Sequence, residues 1–203
     1  MNFKNPIDRL SRRLPQPWRA IVDWGLTIAI AVGAVLLIKA FIVNPYRIPS
    51  ASMEPTFHCT APGPGCEGSH SDRVIANRFI YHFQDPERGD IVVFDTPPAA
   101  AQECGIGGVF VKRIVGLPGE TVALENGVVF IDGVALDEES YLPLGRLDQS
   151  STVPIMIGAD EYFMLGDNRA QSCDSRSWGT VPRDNLIGPV FFVYWPIERI
   201  DFR

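Results

Sequence analysis

The sequence lacks an excess of positive charge: 18 lysines and arginines face 24 aspartates and glutamates, for a formal net charge of -6. Nucleic-acid binders carry a basic face, so that class of partner is excluded. Amphipathic helical runs are scarce as well, and 17 prolines and 18 glycines spread along the 203 residues leave little room for long helices beyond the N-terminal part. No common metal spacing is found. The nearest approach is HCTAPGPGCEGSH, with His58, Cys59, Cys66 and His70, whose separations fit no usual zinc pattern, so neither a metal nor a cofactor is expected. What is present is apolar content of 46%, enough to fill the core of one ordinary domain with an anchor or tail to spare.

The N-terminal part holds Lys4, Arg9, Arg12, Arg13 and Arg19 against Asp8 alone, and then turns apolar from Trp24 to Ile38 (WGLTIAIAVGAVLLI). Lys39 interrupts before AFIV; a lysine near a helix end can snorkel, and with residues 40–43 the run reaches the ~20 residues that span a bilayer. The pattern predicts a basic cytoplasmic segment over 1–20, a transmembrane helix over 21–43 and an extracytoplasmic domain over 44–203, with the basic cluster setting the orientation. A cleaved signal peptide shares the basic-then-apolar order, but its apolar core ends at a small-residue site, whereas this run continues into KAFIVNPYRI.

After the anchor, DRVIANRF, GDIVVFD, GVFVKRIVG, TVALENGVVFIDG, EYFMLGD and PVFFVYW are rich in β-branched and aromatic residues and bounded by Gly, Pro, Asn or Asp. Asn126-Gly127 and Asp132-Gly133 are hairpin-turn signals. The expected fold is mainly β, an antiparallel sheet domain after one helix. Asp95 to Gly108 reads as an exposed loop, and residues 121–160 as a small cap or excursion. Four cysteines suit an oxidising exterior. Of three possible pairings, Cys59–Cys66 with Cys104–Cys173 is favoured, because the Pro/Gly-rich TAPGPG brings Cys59 and Cys66 together at little closure cost.

Three stretches carry candidate chemistry. RIPSASMEPTF, Arg47 to Phe57, sets Ser50 and Ser52 two residues apart between prolines. In GVFVKRIVG, period-2 geometry puts Phe110, Lys112 and Ile114 on one face and Val111, Arg113 and Val115 on the other, so one of two adjacent cations must sit among apolar neighbours. An edge strand whose lysine discourages aggregation would give the same pattern. A buried lysine instead loses its preference for the charged form and can deprotonate a serine. Finally, GDNRAQSCDSRSWG crowds Asp167, Ser172, Asp174 and Arg176 into one turn-rich passage after EYFML; it is either a solvated loop with internal ion pairs or a supporting shell for such a lysine.

An apolar run followed in order by PSASMEPT, RGDIVVF, VKRIVGLPGE and GDNRAQSCDSR resembles type I signal peptidases, membrane-bound Ser-Lys proteases that remove signal peptides from secretory preproteins. The resemblance implies a nucleophile at Ser52, an oxyanion hole of the Ser50 hydroxyl and the Ser52 backbone N–H, and a general base at Lys112. It implies that Ser172 orients the amine and that Asp174, Arg176 and Asp167 stiffen the loop. It further implies substrate pockets around Tyr46, Ile48, Met53, Phe110 and Val111 that admit small residues at P1 and P3, with preproteins and the lipid bilayer as partners. Two positions depart from the pattern: Ala51, where many relatives have glycine, and Cys173 inside the last motif. Two other readings keep the same residues, another Ser-Lys protease or an inactive anchored binding or assembly protein. The first lacks support in a chain with no DNA-binding helix pair, and the second leaves Ser52, Lys112, Ser172 and Asp174 without a use.

Overall fold

The computed structural model of the chain describes residues 15–41, 43–143, 146 and 148–203, and side chains throughout these except at 16, 17, 19, 37–41 and 43. The cluster Lys4, Arg9, Arg12 and Arg13, and the side chains of Arg19 and Lys39, lie outside the described residues. The chain divides into two compact units, Met1–Ile42 and Val43–Arg203. In the first, a single helix, α1 (Gln16–Phe41), is built from Ala, Leu and Ile, and leaves Ile21, Trp24, Ile28 and Val35 exposed. Among the described residues no helix is long and apolar enough to cross a membrane. The expected span over 21–43 runs on through 37–43, outside the described side chains.

The second unit holds the strands, among the described residues β1 (Val43–Arg47), β2 (Arg73–Asn77), β3 (Ile91–Asp95), β4 (Val109–Gly116), β5 (Thr121–Glu125), β6 (Val128–Ile131), β7 (Val134–Ala135), β8 (Thr152–Met156), β9 (Glu161–Leu165), β10 (Val181–Pro182), β11 (Leu186–Trp195) and β12 (Asp201–Phe202). The larger sheet runs β1-β2-β11-β3-β4-β9-β10, with β12 on β11, and the smaller β7-β6-β5-β8. Their ladders are antiparallel, as the hairpin signals require. Asn126 and Gly127, then Asp132 and Gly133, have positive φ in successive pairs, the conformation whose twist matches two flanking strands.

β3 shows why the larger sheet is interior. Ile91, Val92, Val93 and Phe94 are all buried because both faces are covered. Val93 packs with Met53, Phe57 and Val74 on one side; Val92 and Phe94 pack with Ile114, Met164 and Trp178 on the other. A third core joins Val122, Leu124 and Val129 of the smaller sheet to Val115, Phe163 and Leu165 of β4 and β9.

Three expectations need correction. Residues Pro98–Cys104, read as loop, form a short helix, α2: Pro98 occupies the first turn, where its missing N–H costs nothing, alanines propagate it, and Gly105 at φ 67° ends it. The excursion contains β8, whose Pro154 obscured the strand pattern but is tolerated because β8 is an edge. And β4 is an edge strand only in its first half. It pairs β3 along Val109–Arg113 and β9 from Arg113 onward, so residues 109–112 keep one edge free of any described strand. Both of its cations are buried, Lys112 at 3% exposure and Arg113 at 7%.

Candidate active site

The chain leaves β1 through Ile48, whose N–H bonds the Asp72 carbonyl at 2.9 Å, and turns at once into a single 3-10 turn, Ala51–Met53. All three residues of that turn are buried, and Ala51 keeps a negative φ, so its Cβ is accommodated without strain. Met53 plugs the turn into the core beside Val93, which fixes Ser52 over β4.

Ser52 Oγ lies 2.6 Å from Lys112 Nζ, and Ser50 Oγ lies 3.3 Å from Ser52 Oγ. Burial pushes the Lys112 amine down from 10.5 to about 8, against the opposing fields of Asp174 and Asp167. Among the described residues no carboxylate reaches ion-pair distance of Lys112, and the Phe110 ring centroid stands 5.5 Å from Nζ.

The GDNRAQSCDSR passage is anchored to this turn through backbone. Asn168 N–H donates to the Ser52 carbonyl at 3.1 Å. Asp174 accepts from Gly166 N–H at 3.1 Å and from Arg176 Nε at 2.8 Å, and Arg176 in turn donates to the Arg169 and Ser172 carbonyls. Gly166 must be glycine: a Cβ there would meet Ser172 Oγ at 2.2 Å and the Ser52 carbonyl oxygen at 2.5 Å. Ser172 is brought to the site, but its buried Oγ has no hydrogen-bond partner among the described residues, so the expected bond to the amine is not formed. Asp167 serves Arg113 instead, accepting from Nε at 2.9 Å and Nη2 at 2.7 Å, and from Thr56 Oγ1 at 2.5 Å.

Tyr46, Ile48, Met53, Phe110 and Val111, the expected pocket residues, line one cavity of about 400 Å³ together with Ser52 and Lys112. A larger cavity of about 720 Å³ lies beside Arg113, Tyr141 and Arg199 and contains neither Ser52 nor Lys112. Disulfides join Cys59 to Cys66 and Cys104 to Cys173, which removes Cys59 and Cys66 from any metal set. Sequence reasoning missed four supports: Glu54, whose buried carboxylate accepts from the Cys59 and Glu67 N–H groups; Thr56; Asp148 on Arg176; and the buried Arg169–Glu138 pair. Only Glu54 carried a signal, an acid two residues beyond the serine in an otherwise apolar turn.

A buried lysine without an ion-pair partner, set against a serine hydroxyl, can serve as a proton acceptor facing a nucleophile, the arrangement of a Ser-Lys hydrolase. The sequence matches the family described as signal peptidase, peptidase S26, over residues 21–195. The chain belongs to the signal peptidase family. It is accordingly a serine endopeptidase that cleaves signal peptides. It is 39% identical to a signal peptidase I of Leptolyngbya laminosa over 177 residues, covering 87% of this chain and 78% of that protein. It is 37% identical to a probable signal peptidase I-2 of Synechocystis sp. over 184 residues, covering 91% and 78%. A crystal structure of a signal peptidase I from Enterococcus faecalis aligns with a TM-score of 0.41 at 29% identity, over 52% of this chain and 97% of that one.

Proposed function

We propose that Ser52 is the nucleophile of this signal peptidase and Lys112 its general base. The observation that carries this reading is the 2.6 Å separation of Ser52 Oγ and Lys112 Nζ with both groups buried. With the amine at about 8, roughly half is neutral at pH 8 and can accept the serine proton. Ser52 Oγ then attacks the carbonyl carbon of the scissile bond, and the Ser52 N–H with the Ser50 hydroxyl donates to the developing oxyanion. The Lys112 ammonium returns its proton to the departing amine of the mature chain. The acyl-enzyme is hydrolysed by a water that Lys112 deprotonates in turn. Asp174, Arg176 and Asp167 act by holding the loop that carries the Asn168 bond to Ser52.

The substrate binds extended along the free edge of β4 at residues 109–112, adding a strand to the sheet. Side chains that alternate toward the cavity then meet Tyr46, Ile48, Met53, Phe110 and Val111, a lining that favours small residues at P1 and P3. The apolar run over 21–43 anchors the enzyme in a bilayer as a single pass, with the basic segment cytoplasmic and residues 44–203 outside. Ser52 follows that run by nine residues, which keeps it close to the surface where a cleavage site emerges.

The test is to incubate the detergent-solubilised chain with a preprotein whose signal ends in Ala-x-Ala and to map the new N-terminus by mass spectrometry. Cleavage after the second alanine by the parent, and none by Ser52→Ala or Lys112→Ala, is the expected result. Substantial cleavage by either variant would remove the dyad.

A further inference from the structure

The stretch HCTAPGPGCEGSH has no part in the reaction described above, and its cysteines are taken up by a disulfide. Its His58 and Glu67 nevertheless converge on Glu54, so that one ligand atom from each of the three lies within 4.8 Å of the others. Glu54 differs from the other buried acids. Five carboxylates are buried among the described residues: Glu54, Asp72, Glu138, Asp167 and Asp174. Four of them face a guanidinium, Arg199 for Asp72, Arg169 for Glu138, Arg113 for Asp167 and Arg176 for Asp174. Glu54, at 0% exposure, meets the His58 imidazole and, among the described residues, no lysine or arginine. Buried charges are paired or coordinate metals, and this one lacks a permanent cation.

The three side chains are carried on a fixed frame. Glu54 Oε1 accepts from the Cys59 and Glu67 N–H groups, both at 3.0 Å, which sets the plane of the carboxylate and leaves Oε2 facing His58 Nδ1. The His58 backbone is tied to Asp72 in both directions, its N–H to Oδ2 at 2.9 Å and its carbonyl to the Asp72 N–H at 2.8 Å. Gly68 N–H donates to the Cys59 carbonyl at 3.1 Å, and the Cys59–Cys66 disulfide closes the loop that presents Glu67. Gly68 leaves room for the imidazole, since a Cβ there would lie 2.7 Å from that of His58. His58 and Glu67 stand on the solvent side, 20% and 46% exposed, and Glu67 pairs with Arg146.

We propose that Glu54 Oε2, His58 Nδ1 and the Glu67 carboxylate bind one divalent transition-metal ion of the zinc class, with water completing its shell. One imidazole nitrogen and two carboxylate oxygens suit zinc, whereas calcium calls for about six to eight oxygens and magnesium for an octahedron of them. To admit the ion His58 draws back from Oε2, and Glu67 exchanges Arg146 for the metal; both movements fall on partly exposed side chains, while Glu54 stays where its backbone bonds hold it. Two carboxylates and a divalent ion leave the site neutral, and Glu54 gains the permanent counter-charge that the other four buried acids have. Glu54 follows Ser52 by two residues, and its N–H bonds the Ala51 carbonyl at 3.1 Å, so the ion braces the turn that carries Ser52. The site does not depend on the roles assigned to Ser52 and Lys112.

The experiment uses the full chain in detergent, free of any affinity tag and stripped with a chelator, titrated with zinc chloride by calorimetry. One equivalent of zinc should bind and raise the unfolding temperature, and magnesium should do neither. His58→Ala and Glu67→Gln should each weaken zinc binding about tenfold or more. Both substitutions fall on partly exposed side chains, and their unfolding transitions without zinc establish that the variants fold. Cobalt(II) in place of zinc should give the parent a visible absorption that His58→Ala loses. Arg146→Gln, which releases Glu67, should bind zinc at least as tightly as the parent. No saturable zinc binding in the parent, or undiminished binding in both His58→Ala and Glu67→Gln, overturns the site, as does weaker binding in Arg146→Gln.

Discussion

Lys112 and Arg113 are neighbours on β4, 3% and 7% exposed, and the two faces they point to have been built in opposite ways. Arg113 is fully compensated: two hydrogen bonds to Asp167, one at 2.8 Å to the Gly89 carbonyl, and the Tyr141 ring 3.9 Å from its guanidinium carbon. Lys112 has a serine hydroxyl and an aromatic ring. Taking an ion out of water costs several kcal/mol unless a counter-ion and hydrogen bonds offset it. One face offsets that cost and keeps a cation; the other leaves it standing, and the amine responds by giving up its proton near pH 8. On the proposed reading, the same strand carries a structural cation and a base one residue apart.

The comparison is broken most severely by making the cleft face like the other. Lys112→Arg puts a group that does not deprotonate beside Ser52, and cleavage should fall by about 10⁴-fold or more, measured as kcat/KM on an Ala-x-Ala peptide. Next comes Arg113→Met, which leaves Asp167 buried without its counter-ion: urea unfolding should show a loss of about 3–5 kcal/mol, with Asp167→Asn losing a comparable amount. Ser50→Ala, back on the cleft face, should lower kcat by roughly 10²–10³ with KM little changed. A change confined to KM would make Ser50 a binding residue.

A smaller effect of opposite sign sharpens the contrast. The folded amine sits near 8 and the unfolded one near 10.5, so between those values the unfolded chain binds more protons and stability rises with pH. Below pH 8 the buried ammonium destabilises the parent by about 3 kcal/mol, a burden that fades as pH approaches 10.5. Lys112→Met should be inactive yet more stable than the parent at pH 7, with the difference shrinking toward pH 10. Smallest of all, Asp85→Ala removes the exposed partner of Arg183 and should shift stability by less than about 0.5 kcal/mol.

Much of this contrast was legible in the sequence and part of it was not. Period-2 alternation separates Lys112 from Arg113 onto different faces, and the burial of a cation follows from its apolar flanks. Which cation stays charged does not follow, because that depends on Asp167, reaching Arg113 across 54 residues, and on Tyr141 from a segment with no pattern of its own. The strands were readable wherever β-branched runs met Asn-Gly or Asp-Gly turns. β8 was hidden by Pro154 and α2 by the prolines and glycines around it, since each acts through its position in a sheet or helix that composition does not reveal. Ser172 shows the limit of motif reasoning: the motif brings it beside Gly166 and the Ser52 carbonyl, yet its hydroxyl bonds nothing among the described residues.

The most direct test is to titrate Lys112 itself. The chain contains three lysines, Lys4, Lys39 and Lys112, so enrichment with ¹³Cε-lysine gives three signals by NMR, and the one absent from Lys112→Met is assigned. Its chemical shift should titrate with a midpoint near 8 in the folded enzyme. A midpoint at 10 or above would mean that the amine stays protonated beside Ser52 at working pH, and the unassisted-base mechanism would have to be abandoned.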